Sequence, residues 1–179
     1  MRYLILIFTI FLSSCGKSPK KIYIRDMMDL TPEVKEQFIE AVNELNAAAG
    51  ETFISFSGGG LGDKPVDVRQ ISAADINNNS TPSETIAHAR YEEYHCLMEI
   101  RTDIEDVIRR QINPASPSSV TTTQWHEGLQ RVIMHELGHC YGLGHVNDSY
   151  NIMNPTYSAF WDNQSISEHA ARLKDRSKK

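Results

Sequence analysis

Three histidines and one glutamate in the run His135-Glu136-Leu137-Gly138-His139-Cys140-Tyr141-Gly142-Leu143-Gly144-His145 are the residues best spaced to do chemistry. They follow the pattern H-E-x-x-H-x-x-G-x-x-H, which can hold one zinc ion on three imidazoles with a carboxylate beside it. On a helix, His135 and His139 share a face with Cβ atoms about 5–6 Å apart. That spacing suits two ligands of one tetrahedral ion with Zn–N bonds of about 2.0–2.1 Å. Glu136 is one step round the helix, so it can lean over the ion without ligating it. Gly142 can adopt positive φ and turn the chain back to deliver His145. Three protein ligands leave one position open, the mark of a catalytic rather than a structural site. Two surface histidines and a glutamate can produce the short H-E-x-x-H by coincidence; the added glycine and third histidine make that reading a poor one.

Over residues 135–157 the chain resembles a metzincin metalloprotease and, within that group, the matrixins. Met153, in Asn151-Ile152-Met153-Asn154-Pro155-Thr156-Tyr157, is similar to the matrixin Met-turn, in which a methionine lies beneath the metal. The resemblance implies that Met153 floors the zinc site and that Pro155 and Tyr157 wall the primed-side specificity pocket. By spacing alone Met153 is an adaptable core filler. Upstream, Thr85-Ile86-Ala87-His88-Ala89-Arg90 resembles the edge strand that matrixins lay beside bound substrate, which assigns Ile86, Ala87 and His88 to that strand. In many matrixins the corresponding histidine binds a second, structural zinc; the rest of that cluster is not recognisable here, and an ordinary strand histidine is the preferred reading of His88. A second Zn2+ or a Ca2+ has no further support. No cysteine-switch segment is recognised, and Asn154 stands where the family usually has an aromatic or histidine.

The elements that must position these residues are legible from periodicity. Lys21 to Arg25 alternates as a strand, with Ile22 and Ile24 on one side. Thr31-Pro32-Glu33 opens a helix with a capping hydroxyl, and Val34, Phe38, Ala41, Val42 and Leu45 form its buried stripe up to Gly50. Thr52 to Ser57 reads as a second strand paired parallel to the first. Further strands are expected at Val66–Ile71, Thr85–Arg90 and Tyr94–Arg101, with a loop at Asn77–Pro82. The stretch 113–123 reads as a loop before an active-site helix starting near Thr123, which buries Leu129, Val132, Ile133 and Leu137. Ser167 is a candidate cap for a last helix. The run Gly58 to Asp63 lacks a Gly-Lys-Ser/Thr ending, so it reads as a loop and not a phosphate cradle. Glu92, Glu93, Glu99, Asp103, Glu105 and Asp106 read as a solvated acidic face, with a cation site the minor alternative. The fold class expected is α+β: a mixed, mostly parallel, twisted five-stranded sheet with a helix after the first strand, an active-site helix and a short C-terminal helix, as in a metzincin-like zincin catalytic domain.

Met1-Arg2 followed by an uncharged run from Tyr3 to Leu12 is too short to span a bilayer and reads as a signal peptide. Leu12-Ser13-Ser14-Cys15 resembles a bacterial lipobox, which implies cleavage before Cys15 and its lipidation. Residues 1–14 are thus expected to be the leader, 15–21 the lipidated cysteine and tether, and 22–179 one catalytic domain. The protein would be exported and lipid-anchored to the bacterial cell envelope, with the outer membrane favoured, in a cell that has one, because Gly16 is not an aspartate. The 179 residues carry 18 Lys+Arg against 23 Asp+Glu, a net charge of −5, and no basic patch suggests nucleic acid. Cys96 and Cys140 remain after the leader. An exported compartment permits a disulfide, while two buried free thiols are the alternative. Cys140 lies about 100° round the helix from His139, so it should face the core rather than the metal.

These readings converge on a monomeric zinc-dependent endopeptidase acting on protein or peptide substrates, with Glu136 as general base and substrate added as a strand along the edge near residues 85–90. The alternatives are a lipid-anchored zinc-containing binding module without turnover, which would have no need of Glu136, and a processing enzyme dedicated to one partner.

Overall fold

The computed structural model describes residues 21–60, 62–78, 86–91, 94–155 and 163–177. β1 (Ile22–Asp26) buries Ile22 and Ile24, as the alternation requires. α1 (Pro32–Ala49) begins where Thr31 Oγ1 accepts from the Val34 amide, and it buries Val34, Phe38, Ala41, Val42 and Leu45. β2 (Ile54–Ser55) is shorter than its apolar run suggested. Asn46 of α1 holds it: Asn46 Nδ2 donates to Ile54 O at 2.8 Å, and Asn46 Oδ1 accepts from the Phe53 and Ile54 amides. β3 (Lys64–Ile71), β4 (Ala87–Tyr91) and β5 (Cys96–Arg101) complete a five-stranded sheet in the order β2-β1-β3-β5-β4. Three pairings are parallel; only β4, on the edge, runs antiparallel to β5.

Period-two patterning divides the sheet into unlike faces. Ile22, Ile24, Val66, Val68, Ala87, Met98 and Ile100 join one core with the helices. Asp67, Arg69, His88, Arg90 and Glu99 share the opposite face by register. α4 (Thr122–Cys140) packs against α1 and beneath β4, and α5 (Asn163–Ser177) packs on α1. A capping box starts α4: Gln124 N–H donates to Thr121 Oγ1, and Thr121 N–H donates to Gln124 Oε1.

Several expectations need correction. α2 (Ala73–Asn78) takes up the start of the segment read as a loop. α3 (Ile104–Ile112) occupies part of the acidic run, burying Ile104, Val107 and Ile108, with Asp106 and Arg110 exposed and Arg109 tied to Glu105 and Val120 O. A 3-10 turn (Pro117–Ser119) lies within the 113–123 connection. The last helix is long, and Ser167 lies within it rather than capping it. Glu99 is fully buried, not part of a solvated face. Cys96 and Cys140 form a disulfide with Cα atoms 5.5 Å apart, which replaces the free-thiol alternative and joins β5 to the end of α4. Among the described residues no helix is long and apolar enough to cross a membrane. The expected leader, Cys15 and most of the tether lie outside the described residues.

Candidate metal centre

α4 places His135 and His139 on one face, and the turn after it brings in the third ring. The helix ends at Cys140; Gly142, at φ +74°, reverses the chain, and Leu143 N–H donates back to Gly138 O. A side chain at Gly142 would strain that left-handed backbone. Three Nε2 atoms then converge: His135 and His139 at 3.1 Å, His139 and His145 at 3.1 Å, His135 and His145 at 3.3 Å. Tetrahedral zinc with Zn–N bonds of about 2.0–2.1 Å sets its nitrogens about 3.3–3.4 Å apart, so the triangle matches its donor geometry. Among the described residues, this is the group of three or more potential ligands placed to hold a metal ion.

The ring tautomers fit the same ion. His135 Nδ1 lies 2.6 Å from Ile152 O, and His139 Nδ1 lies 2.8 Å from Leu143 O. A carbonyl only accepts, so both Nδ1 atoms carry the proton and donate it. Burial holds both rings neutral, pushing His135 down to about 3 and lowering His139 as well. Each neutral ring therefore points a bare Nε2 lone pair into the triangle. Lone pairs facing one another at this range repel, and a cation between them removes the conflict.

The segment below the rings is built to hold them. Ile152 O holds His135, and the next carbonyl, Met153 O, accepts from Val146 N–H at 2.9 Å, beside His145. Asn151 Oδ1 accepts from Met153 N–H and shapes this turn. Met153 is fully buried and presses on the helix at Gly138, where any Cβ would overlap its sulfur and lie 2.9 Å from His169 Cε1. His169, on α5, donates from Nε2 to Met134 O at 3.0 Å, and burial lowers it to about 4.

Glu136 lies at the free edge of β4. Burial pushes its carboxyl up to about 8, opposed by a hydrogen bond from the Ala89 amide, and its Oε2 has no hydrogen-bond partner among the described residues. A cation in the triangle would pull the carboxyl back down. The β4 ladder accounts for that amide's direction. Arg101 N–H donates to Ile86 O at 3.2 Å, and antiparallel bonding alternates, so Ala87, Ala89 and Tyr91 direct their backbone groups away from β5. His88 faces the other side of the sheet, where its Nε2 meets Glu99 at 2.9 Å. Pro155 is exposed at the end of a described segment, and Tyr157 lies outside the described residues.

Sequence reasoning placed the three histidines, Glu136, Gly142 and Met153 in one neighbourhood, and they are together. It missed the Ile152 carbonyl, the Asn151 turn, His169 and the Ala89 amide. Backbone carbonyls and amides leave no side-chain signature, and His169 had no partner within reach along the chain.

The matrixin family model matches residues 29–172. The chain belongs to the matrixin family. As a matrixin it is a zinc metallopeptidase, and its α+β architecture with a mixed five-stranded sheet is metzincin-like. Among solved structures it is similar to archaemetzincin from Methanopyrus kandleri, with a TM-score of 0.51 and 13% identity over 94% of this chain and 99% of that one. That likeness is one of fold. Among curated proteins no relative matches by sequence.

Proposed function

We propose that this matrixin is an endopeptidase in which His135, His139 and His145 hold one catalytic zinc and Glu136 is the general base. The convergence of three Nε2 atoms, two of them on rings oriented by backbone carbonyls, beside a buried carboxylate carries the reading. Zinc bound there supplies Lewis acidity, which makes water nucleophilic at neutral pH and polarises the scissile carbonyl. Glu136 takes the proton of the attacking water through its unpartnered Oε2 and returns it to the leaving amine. Met153 floors the site, sealing the underside of α4 at Gly138.

Substrate binds as an added strand along β4, reading the outward backbone groups of Ala87 and Tyr91 and the Ala89 carbonyl. Ala87 and His88 start this strand with Ile86 immediately before it, and Pro155 and Tyr157 wall the pocket for one substrate side chain. Outward backbone on both sides of Ala89, unpaired among the described residues, lets a polypeptide extend past the site in both directions, which favours internal bonds over chain ends. All these parts come from one chain, in keeping with a monomer acting on protein or peptide.

Export and anchoring by lipid on Cys15 are part of the same proposal. The Cys96–Cys140 disulfide supports it, because such bonds persist in oxidising compartments. The test is Glu136→Gln in the soluble 22–179 fragment against a peptide library. Zinc should be retained while turnover falls about 100- to 10,000-fold; undiminished internal cleavage would overturn the role of Glu136, and release of terminal residues alone would overturn the endopeptidase reading.

A further inference from the structure

Glu99 is fully buried on the sheet face opposite the helices. A lone buried carboxylate is strongly unfavourable, and this one is matched from three directions. Arg69 of β3 donates from Nε to Oε1 at 2.9 Å and from its terminal nitrogen to the same oxygen. His88 Nε2 lies 2.9 Å from Oε2, and an Arg90 terminal nitrogen donates to Oε2 at 3.0 Å. Burial lowers His88 in spite of Glu99, so its ring is neutral with the proton on Nε2, and its Nδ1 has no hydrogen-bond partner among the described residues.

The placement of the two β4 partners matters. His88 and Arg90 are the neighbours of Ala89, and both reach back to the same carboxylate one strand inward. Ala89, between them, points its amide the opposite way, to Glu136. We propose that Glu99 is a positioning residue: it clamps the residues on both sides of Ala89 to β5 and β3, and so fixes the edge-strand amide that holds Glu136. The inference rests on the reading of Glu136 as the base. An edge strand is paired on one side only, so without the clamp β4 loses its strongest side-chain tie to the sheet. A small displacement of a catalytic group is enough to slow turnover.

The side chains of Arg69 and Arg90 are 46% and 45% exposed, so either can be hydrated when Glu99→Gln removes the charge, and the variant is expected to fold. The experiment is amide hydrogen exchange at Ala89, followed by NMR in the zinc-loaded full-length chain, with Glu136→Ala defining the rate of an unheld amide. Wild type should exchange about 100-fold more slowly than Glu136→Ala, and Glu99→Gln should come within about tenfold of Glu136→Ala. Zinc content should stay at one per chain, and kcat should fall about 10- to 100-fold. Arg90→Gln, which removes one tie, should fall between wild type and Glu99→Gln, and it serves alone if Glu99→Gln does not fold. Wild-type protection of Ala89 in Glu99→Gln, or in Arg90→Gln where that variant stands alone, would overturn the clamp. A wild-type protein that protects Ala89 in this pattern but cleaves no peptide would sink the peptidase reading and leave the clamp standing.

Discussion

His135 and His139 turn bare ring acceptors toward the point where His145 Nε2 also converges, whereas His88 turns a donor toward Glu99, which takes further donors from Arg69 and Arg90. Both clusters contain histidine held neutral by burial. They differ in their count of donors and acceptors. At Glu99 the carboxylate itself is matched within the protein by protonated nitrogens, and the one orphan, His88 Nδ1, lies on the far side of the ring from it. The triangle is unmatched between His135 and His139, because Ile152 O and Leu143 O accept their ring protons and leave lone pair facing lone pair. A metal site is thus recognised by what its own side chains cannot supply to one another. Histidine count alone does not distinguish the two.

The most drastic way to break the comparison is to remove one ring from each cluster. His139→Ala should lose stoichiometric zinc and drop peptide hydrolysis to the uncatalysed background. His88→Gln should keep one zinc per chain, with turnover reduced through a loosened β4. Metal analysis of both purified variants checks this, and zinc loss from His88→Gln would show that the clusters are not separate.

The disulfide joins the two regions, since Cys96 begins the strand that carries Glu99 and Cys140 ends the helix that carries His139. The bond closes a loop with a sequence separation of 44, and its constraint on the unfolded chain is worth about 4 kcal/mol. Denaturant unfolding of a Cys96→Ser, Cys140→Ser double variant should show a loss of that order. A loss near zero would mean that the packing of α4 on the sheet already holds the regions together.

A smaller effect comes from pH. Burial lowers His169 from 6.5 to about 4. Between those values the unfolded chain binds more protons, so the stability from burying the ring neutral is complete above pH 6.5 and is lost as pH falls through about 4. The shift amounts to about 3 kcal/mol. In acid unfolding of metal-free protein, His169→Gln should flatten the dependence across that window, leaving the deeper slope of His135, which is lowered to about 3. An unchanged slope would show that His169 binds as many protons in the folded protein as in the unfolded chain.

The two clusters also differed in how much the sequence revealed. The triangle is spelled by spacing within one helix and one turn, so helical periodicity and a single glycine were enough to assemble it. The clamp draws on β3, β4 and β5, and only the register Arg69↔Glu99 and His88↔Glu99 brings its members together. Along the chain Glu99 looked like one acid in an acidic run. The same run concealed α3, where Ile104, Val107 and Ile108 keep a helical spacing among Glu105, Asp106, Arg109 and Arg110. The cysteine pairing depended on a Cα separation that two lone cysteines cannot announce. A mixed, mostly parallel five-stranded sheet followed the family resemblance, while strand lengths and the two extra helices did not.

Zinc on the three imidazoles can be located by X-ray diffraction from crystals of zinc-loaded protein, recorded on both sides of the zinc absorption edge. One anomalous peak is expected about 2.0–2.1 Å from the Nε2 atoms of His135, His139 and His145. A peak elsewhere, or none with the three rings turned apart, would contradict zinc binding there.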